Sequence, residues 1–269
     1  MESPIEFGKI WALTRRDMSR WITYKSQVLT TLMSGSIAVA SWGINGSYRN
    51  VQVAQYDCSY VSFLIVGVVI SNLILPLTQG MQNRLNPWTL ESILMTGPRA
   101  ATLVLGTSLW PYALAFMFMI PQLFIGIYIF GAVLNVNIVS FVLASVISTM
   151  IVFSLAMIGT GVKIVTKMTD PFTSALAVAA SLLAGMTYPV SYLNNYIPGL
   201  STVAWLIPQT WIYDIMRLST LTDASVLNPG VAEVFIGALL VAVILLPISY
   251  YIFNISIRRA KRDGTLGWM

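Results

Sequence analysis

Five long stretches of this chain contain no Asp, Glu, Lys or Arg, and they decide what kind of fold it can adopt. These stretches are residues 26–48, 58–83, 100–162, 171–213 and 234–257. A soluble domain carries about 25% charged residues, whereas only 9% of this chain is charged and 57% is hydrophobic. The sequence therefore predicts a membrane protein, and it excludes a soluble enzyme and a nucleic-acid-binding domain.

Helices, and not barrel strands, are expected to make the crossings. A bilayer core about 30 Å thick needs roughly 20 apolar helical residues, whereas barrel strands are about 10 residues long and alternate between apolar and polar side chains. We predict an all-α polytopic protein with a single transmembrane domain over residues 1–269. Its six predicted spans are residues 26–45, 58–79, 102–131, 137–162, 172–190 and 232–256.

The distribution of basic residues predicts the orientation of these spans. With both ends in the cytoplasm, thirteen of the fifteen Lys and Arg residues are cytoplasmic, and only Arg49 and Arg217 are external. Cytoplasmic loops of membrane proteins carry an excess of Lys and Arg. We therefore expect a multi-pass protein of the plasma membrane with both termini in the cytoplasm.

Two segments outside the spans are predicted to be amphipathic helices. Residues 1–25 place Trp11 and Trp21 on an apolar face with basic residues largely opposite, which is typical of a helix lying in the membrane interface. A lipid anchor with no further role is the alternative. Residues 87–96 form a helix too short to be stable alone in water. We expect the bilayer surface, the rest of the chain or a partner's groove to hold it.

The external region before the last span is moderately apolar but interrupted. Pro198 and Gly199 break it in the middle, and irregular backbone at membrane depth is tolerated only where protein or water covers it. We predict a re-entrant pair of short helices over residues 192–216. A loosely packed external loop is the alternative.

The combinations of residues that carry out catalysis or bind metals are missing from the sequence. There is no His, and Cys58 is the single cysteine, so we expect no catalytic residue, no metal site and no cofactor bound by this chain. The sequence has no phosphate-binding loop, and we therefore do not expect it to hydrolyse ATP. Small and hydroxyl residues in spans one and five suit either helix packing or the lining of a substrate pathway. The candidate lining residues are Thr30, Ser34, Ser181 and Thr187.

Three short motifs follow one another in the order found in a known family. Residues 87–99 read PWTLESILMTGPR, residues 183–190 read LAGMTYPV, and residues 207–217 read IPQTWIYDIMR. They resemble the G-T-L-E-x-L-L-x-x-P, G-x-x-[YF]-P and [LN]-P-x-[ST]-x-x-x-[DE]-x-[LFM]-R segments of the membrane subunits of ABC-2 type transporters. Trp88 stands where the first motif usually has glycine.

The resemblance implies a function that composition alone does not indicate. Members of this family are permease subunits of exporters, and a separate nucleotide-binding subunit holds ATP and Mg and supplies the energy. A second permease chain, identical or paralogous, completes the transporter among the membrane lipids. We expect export of a small amphiphilic molecule or lipid from the cytoplasm. The alternatives are a polysaccharide or oligosaccharide export permease and a non-transporting membrane scaffold component.

The resemblance also assigns roles to individual residues. The segment after span two is implied to couple the permease to its ATPase, and the residues after span five are implied to close an external gate. The implied coupling residues are Thr89, Leu90, Glu91, Leu94, Pro98 and Arg99. The implied gate residues are Tyr188, Pro189, Pro198, Gly199, Pro208, Asp214 and Arg217.

Overall fold

The computed structural model describes residues 6–49, 51–85, 93, 95, 97–166 and 170–262. The protein is mostly helical, at 81%. Its helices, in chain order, are α1 (Phe7–Thr23), α2 (Lys25–Ser47), α3 (Tyr60–Arg84), α4 (Ala100–Phe130), α5 (Ile138–Thr166), α6 (Asp170–Leu183), a 3₁₀ helix (Val190–Asn195), α7 (Leu200–Trp205), α8 (Pro208–Leu221) and α9 (Pro229–Arg262). Two short strands between α2 and α3, β1 (Gln52–Val53) and β2 (Cys58–Ser59), form an antiparallel ribbon that the sequence reasoning did not anticipate.

Four of these helices are long and apolar enough to cross a bilayer. They are α3 over residues Tyr60–Gln82, together with α4, α5 and α9. Among them α3 is almost wholly buried, whereas α9 exposes most of its surface. A helix that is apolar on all sides belongs inside the protein, and α3 accordingly packs against α2, α4, α5 and α8. These long apolar helices indicate a membrane-embedded protein.

Two of the six predicted spans do not belong to this set. Helix α2 is 23 residues long, but the hydroxyl groups of Thr30, Thr31 and Ser34 make it less apolar. Helix α6 has 14 residues, or about 21 Å at 1.5 Å per residue, which is short of the bilayer core. It ends at Leu183, earlier than the predicted end of span five at residue 190, because Gly185 turns the chain with φ of +83°.

The predicted boundary between spans three and four matches a well-formed helix end. Gly131, with φ of +66°, follows the last residue of α4. Its N–H donates to the carbonyl of Ile127, and the N–H of Ala132 donates to the carbonyl of Gly126. The bond from the Gly131 N–H reaches back four residues, as in the αL motif, in which glycine takes the left-handed position and satisfies a carbonyl left open at the helix end.

The loop after Gly131 also fixes the position of α8. The N–H of Asn135 donates to the carbonyl of Thr220, and the N–H of Asn137 donates to the carbonyl of Ser219. The side chain of Asn137 then accepts a hydrogen bond from the N–H of Ser140 at the start of α5. The end of α8 is therefore attached to the turn between two long helices, and α8 itself is buried along most of its length.

Helix α1 packs along the beginning of α4 through a stripe that is not its most apolar one. Ile10, Thr14 and Asp17 are the buried residues of this helix, whereas Phe7 and Trp11 are exposed. The Thr14 hydroxyl donates to the carbonyl of Gly106 on α4. Helix α1 therefore contacts the protein with a mixed face and leaves aromatic side chains on its outer surface.

Candidate functional site

A cavity of about 420 Å³ lies between α1, α2, α3 and α4. One part of its wall is apolar and includes the Trp21 and Phe118 rings, whose centroids are 6.1 Å apart. Another part carries the charged side chains of Asp17, Arg20 and Arg84. Pockets that bind small molecules usually measure roughly 300–1,000 Å³ and combine apolar walls with a few polar groups. This cavity therefore has the size and the mixed lining of a site for an amphiphilic molecule.

The charged part of the cavity is organised by a buried carboxylate. Asp17 on α1 is 1% exposed, and its Oδ2 lies 3.1 Å from Nε of Arg84 at the end of α3. Its Oδ1 lies 3.3 Å from Nη2 of Arg16. Burial lowers the pKa of Arg84, and the charge of Asp17 opposes that shift. Arg84 also donates to the carbonyl of Thr107 on α4, at 2.8 Å, so this arginine joins three helices.

A second carboxylate holds the beginning of α1. Glu6 accepts a hydrogen bond from Lys9 at 2.9 Å and another from the Thr102 hydroxyl at 3.0 Å. It also accepts the backbone N–H of Arg99 at 3.3 Å. The hydrogen bond from Lys9 lowers the pKa of Glu6, with smaller contributions from Arg99 and Thr102. The ionised form of Glu6 therefore ties α1 to the first turn of α4.

Two amide side chains line the cavity further along α3 and α4. Asn72 donates to the side-chain oxygen of Gln122 at 2.9 Å and approaches the carbonyl of Gly35 on α2 at 3.4 Å. A Cβ added at Gly35 would lie 2.5 Å from Nε2 of Gln122. Glycine at this position therefore allows the amide pair to reach the backbone of α2. The contacts of Asn72 connect α3 with α4 and α2.

A second buried cluster lies beside the turn that follows α6, and Arg217 is at its centre. Arg217 is 2% exposed and donates from Nη1 to the carbonyl of Gly185, at 2.8 Å, and from Nη2 to the carbonyl of Met186. Its guanidinium carbon lies 3.7 Å from the centre of the Phe63 ring on α3. A cation over an aromatic face is attracted by the ring quadrupole, more strongly where water is excluded. Arg217 thus connects α8, α3 and the end of α6.

The same cluster contains a tyrosine–aspartate pair. The hydroxyl of Tyr56, in the ribbon between β1 and β2, donates to a carboxylate oxygen of Asp214 on α8. Both side chains are buried. Burial raises the pKa of Tyr56 well above its ordinary value, and the charge of Asp214 raises it further. Tyr56 therefore stays protonated at neutral pH and holds the ribbon against α8.

A glycine on α3 makes room for this cluster. A Cβ built at Gly67 would lie 2.2 Å from the carbonyl oxygen of Met186 and 2.3 Å from Nη2 of Arg217. Such distances are far inside van der Waals contact. Gly67 therefore permits the turn after α6 and the guanidinium of Arg217 to lie directly against the α3 backbone.

The structure brings together two of the predicted gate residues and places the others along the segment that leads to them. Asp214 and Arg217 lie three residues apart on α8 in the buried cluster. Tyr188 donates to the carbonyl of Leu182, and Pro189 immediately precedes the 3₁₀ helix. The remaining gate residues stand at the helix starts: Gly199, with φ of +86° after Pro198, precedes α7, and Pro208 is the first residue of α8.

The predicted lining residues do not meet in one place. Ser34 lines the cavity, together with its neighbour Thr31. Thr30 is exposed and donates to the carbonyl of Gln27. Ser181 on α6 is buried beside Gln209, at 3.4 Å, and Thr187 offers its carbonyl to the Tyr60 hydroxyl. Of the four predicted residues, the structure places Ser34 alone at the cavity.

Most of the predicted coupling residues fall outside the described part of the chain. These are Thr89, Leu90, Glu91 and Leu94 of the predicted helix 87–96. Pro98 and Arg99 are described, and Arg99 stands immediately before α4. Within the described residues, the predicted coupling segment is bounded by Arg84, which pairs with Asp17, and by Arg99, whose N–H is bound by Glu6.

The sequence analysis did not single out several residues of the cavity and of the Arg217 cluster, namely Asp17, Tyr56, Phe63, Gly67, Asn72, Arg84 and Gln122. Some carried a signal. Asp17 is an acid within a basic segment and follows Ile10 and Thr14 at helical spacing, and Asn72 and Gln122 are strongly polar residues within apolar spans. Tyr56, Phe63 and Gly67 carried none, because their roles depend on contacts with residues far along the chain.

No group of three or more His, Cys, Asp or Glu side chains suited to a metal ion occurs within the described residues. No protein-family model matches this sequence, and no curated protein matches it. The candidate site consists of the cavity, with the Asp17–Arg84 ion pair in its wall, and of the buried cluster around Arg217.

Proposed function

We propose that this chain is the permease subunit of an ATP-driven exporter of the ABC-2 type, and that it moves a small amphiphilic molecule or lipid out of the cytoplasm. The proposal assigns ATP hydrolysis to a separate nucleotide-binding subunit. Three features support it: the three family-like motifs in the sequence, the cavity between α1, α2, α3 and α4, and the buried cluster around Arg217.

The observation that carries the proposal is the mixed lining of the cavity between α1, α2, α3 and α4. Aromatic and aliphatic side chains face one part of it, and amide, hydroxyl and charged groups face another. A molecule with a polar end and an apolar end satisfies both parts, whereas a simple ion or a sugar leaves the apolar wall against water. The cavity therefore favours an amphiphilic cargo.

The attachments of α1 supply a physical reason for coupling. Asp17 contacts Arg84 on one side of the predicted coupling segment, and Glu6 contacts the N–H of Arg99 on the other side. Force applied to residues 87–96 by an ATPase would reach α1 through these two contacts. Since Trp21 of α1 lines the cavity, such movement would change the shape of the proposed cargo site.

The cluster around Arg217 is assigned to the external gate. The turn after α6, the 3₁₀ helix, α7 and α8 make up the proposed re-entrant region over 192–216 and its entry from span five. Arg217 and Asp214 hold this region against α3 and the β ribbon. Opening the gate would require these buried contacts to break. The free energy of ATP binding to the partner subunit would drive that step.

The proposed arrangement in the membrane retains six spans with both termini in the cytoplasm. Helix α2 supplies one of the two crossings beyond the four apolar helices, and α6 together with the chain up to residue 190 supplies the other. Helix α1 lies in the cytoplasmic interface. A second permease chain and membrane lipids cover the exposed apolar surfaces of α4, α5 and α9.

Co-purification with an ATPase tests the proposal directly. An ATPase subunit with a phosphate-binding loop, encoded beside this chain, should be retained by the tagged permease, and amphiphilic ligands should stimulate its hydrolysis. The double variant Leu90→Ala/Leu94→Ala should be inserted normally but should lose the ATPase, because it truncates the apolar face predicted to fill a partner groove. The matched control Leu239→Ala/Leu240→Ala truncates two exposed residues of α9 and should retain it.

Two outcomes would argue against the proposal. If the Leu90→Ala/Leu94→Ala variant retains a fully stimulated ATPase, residues 87–96 are not the coupling helix. If no ATPase is retained by the unaltered chain, a non-transporting membrane scaffold becomes the better explanation.

A further inference from the structure

The charges around the cavity are unequal, and Arg20 carries the excess. Among the described residues, Asp17 is the one acidic side chain that lines the cavity, and its two oxygens face Arg84 and Arg16. Arg20 lines the same cavity one turn further along α1. No ion pair or side-chain hydrogen bond engages Arg20 within the described residues. Arg20 is therefore an exposed cation at the edge of the cavity, and the charge of Asp17 is shared with Arg84 and Arg16.

The apolar wall lies next to this cation. Trp21 follows Arg20 in the chain and packs against Phe118 of α4, and Leu114 lines the cavity one turn before Phe118. A ligand held at Arg20 would thus place whatever is attached to its head group against these side chains. Gln122, one turn beyond Phe118, extends the wall toward the amide pair.

From this juxtaposition we propose that the cavity binds an anionic amphiphile, with its phosphate or carboxylate head group at Arg20 and its apolar chain along Trp21, Leu114 and Phe118. The inference rests on the proposed function, since it names the class of cargo for that site. Arginine binds a phosphate or carboxylate through paired, charge-assisted hydrogen bonds, which are about twice as strong as neutral ones. A cationic amphiphile would instead meet an excess of arginine at the same place.

Direct binding to the full-length chain tests the inference without any ATPase. The protein is placed in phosphatidylcholine nanodiscs, and equilibrium binding of radiolabelled dodecyl phosphate is measured against empty nanodiscs. Unlabelled competitors with the same chain are dodecyl maltoside, which is neutral, and dodecyltrimethylammonium, which is cationic; inorganic phosphate has the head group alone. We expect dodecyl phosphate to compete at concentrations about tenfold or more below those of the other three, which corresponds to one charge-assisted contact.

Variants of Arg20 locate the binding. Arg20→Gln should weaken dodecyl phosphate binding by about tenfold and should leave dodecyl maltoside binding unchanged. Arg20→Lys should recover most of the affinity because it keeps the charge. Arg15→Gln is the matched control, since Arg15 is exposed on the same helix and does not line the cavity, and its affinity should equal that of the unaltered chain.

Several results would overturn the inference. Equal competition by the cationic or neutral probe would show that charge does not select the ligand. Competition by inorganic phosphate at the concentration of dodecyl phosphate would identify a site for the free anion. Equal losses in Arg15→Gln and Arg20→Gln would indicate a general surface attraction. Selective binding at Arg20 without any stimulated ATPase would support the binding site and contradict the proposed export, so the two failures are distinguishable.

Discussion

The guanidinium carbon of Arg217 lies 3.7 Å from the centre of the Phe63 ring, although the two residues belong to helices far apart in the chain. The same guanidinium donates to the carbonyls of Gly185 and Met186 beyond the end of α6. One buried side chain therefore links α8, α3 and the turn after α6.

Replacing Arg217 with leucine should destabilise the protein substantially. The carbonyls of Gly185 and Met186 would lose their donors, and each buried polar group left without a partner costs about 1–3 kcal/mol. The stability of Arg217→Lys should lie between that of Arg217→Leu and that of the unaltered chain. One ammonium group cannot bind both carbonyls in the way the planar guanidinium does. Unfolding in SDS titrations measures the change. Arg49→Leu is the control, since Arg49 is exposed, and a similar loss in both variants would contradict the assigned role.

Gly67→Ala should disturb the same cluster from the side of α3. The added methyl would lie 2.2 Å from the carbonyl oxygen of Met186, and overpacking in a well-packed interior typically costs about 1–3 kcal/mol. The control is Gly230→Ala at the beginning of α9, where a Cβ would meet nothing within 4 Å. In SDS titrations, Gly67→Ala should unfold at a lower SDS concentration than Gly230→Ala. If Gly67→Ala is as stable as Gly230→Ala, the close approach is not required.

The attachment of α1 should depend on pH through Glu6. Because the folded pKa of Glu6 is lowered below 4.5, its contribution to stability is present above that value and is lost as the pH falls through the lowered pKa. Glu6→Gln should therefore make α1 more accessible to protease at neutral pH, and the unaltered chain should approach this variant once the pH falls below the lowered pKa of Glu6.

Glu233→Gln provides the control for that experiment. Glu233 is exposed on α9, so its variant should match the unaltered chain at both pH values. Protease cleavage within Phe7–Thr23, followed by mass spectrometry, reports the accessibility of α1. Equal cleavage of Glu6→Gln and the unaltered chain at neutral pH would show that Glu6 does not hold this helix.

The fold was partly predictable because hydrophobic length and helix-breaking residues are local properties. Charge-free stretches identified the long helices, and the positions of Pro198 and Gly199 indicated the break between the 3₁₀ helix and α7. The end of span five was predicted wrongly. Helix α6 ends at Leu183 and the chain turns at Gly185, within an uncharged stretch that gives no sign of a helix end. Local signals also gave no indication of the ribbon that contains Tyr56.

The candidate site was less predictable because its contacts join distant parts of the chain. Asp17 pairs with Arg84, and Tyr56 binds Asp214 across 158 positions of sequence. Neither pair repeats with a helical period, so no pattern in either segment identifies its partner. Arg217 was assigned through the resemblance alone, and its dependence on Gly67 emerged only once α3 and the turn after α6 were placed together.

The six-span arrangement makes a prediction about accessibility. In a Cys58→Ser background, a cysteine at Thr222 should react with an impermeant maleimide added outside the cell. A cysteine at Thr265 should react only after the membrane is permeabilised, because the positive-inside distribution predicts a cytoplasmic carboxyl end. External labelling at position 265, or none at position 222, would require a different number of crossings.

ATP-dependent movement of cargo tests the central claim most directly. The permease and its co-purified ATPase are reconstituted into phosphatidylcholine vesicles, and accumulation of radiolabelled dodecyl phosphate is followed after ATP is added outside. The account predicts accumulation with ATP that is absent with a non-hydrolysable analogue and strongly reduced in Arg20→Gln. Accumulation that is equal with and without ATP, in vesicles shown to contain the bound ATPase, would contradict the account.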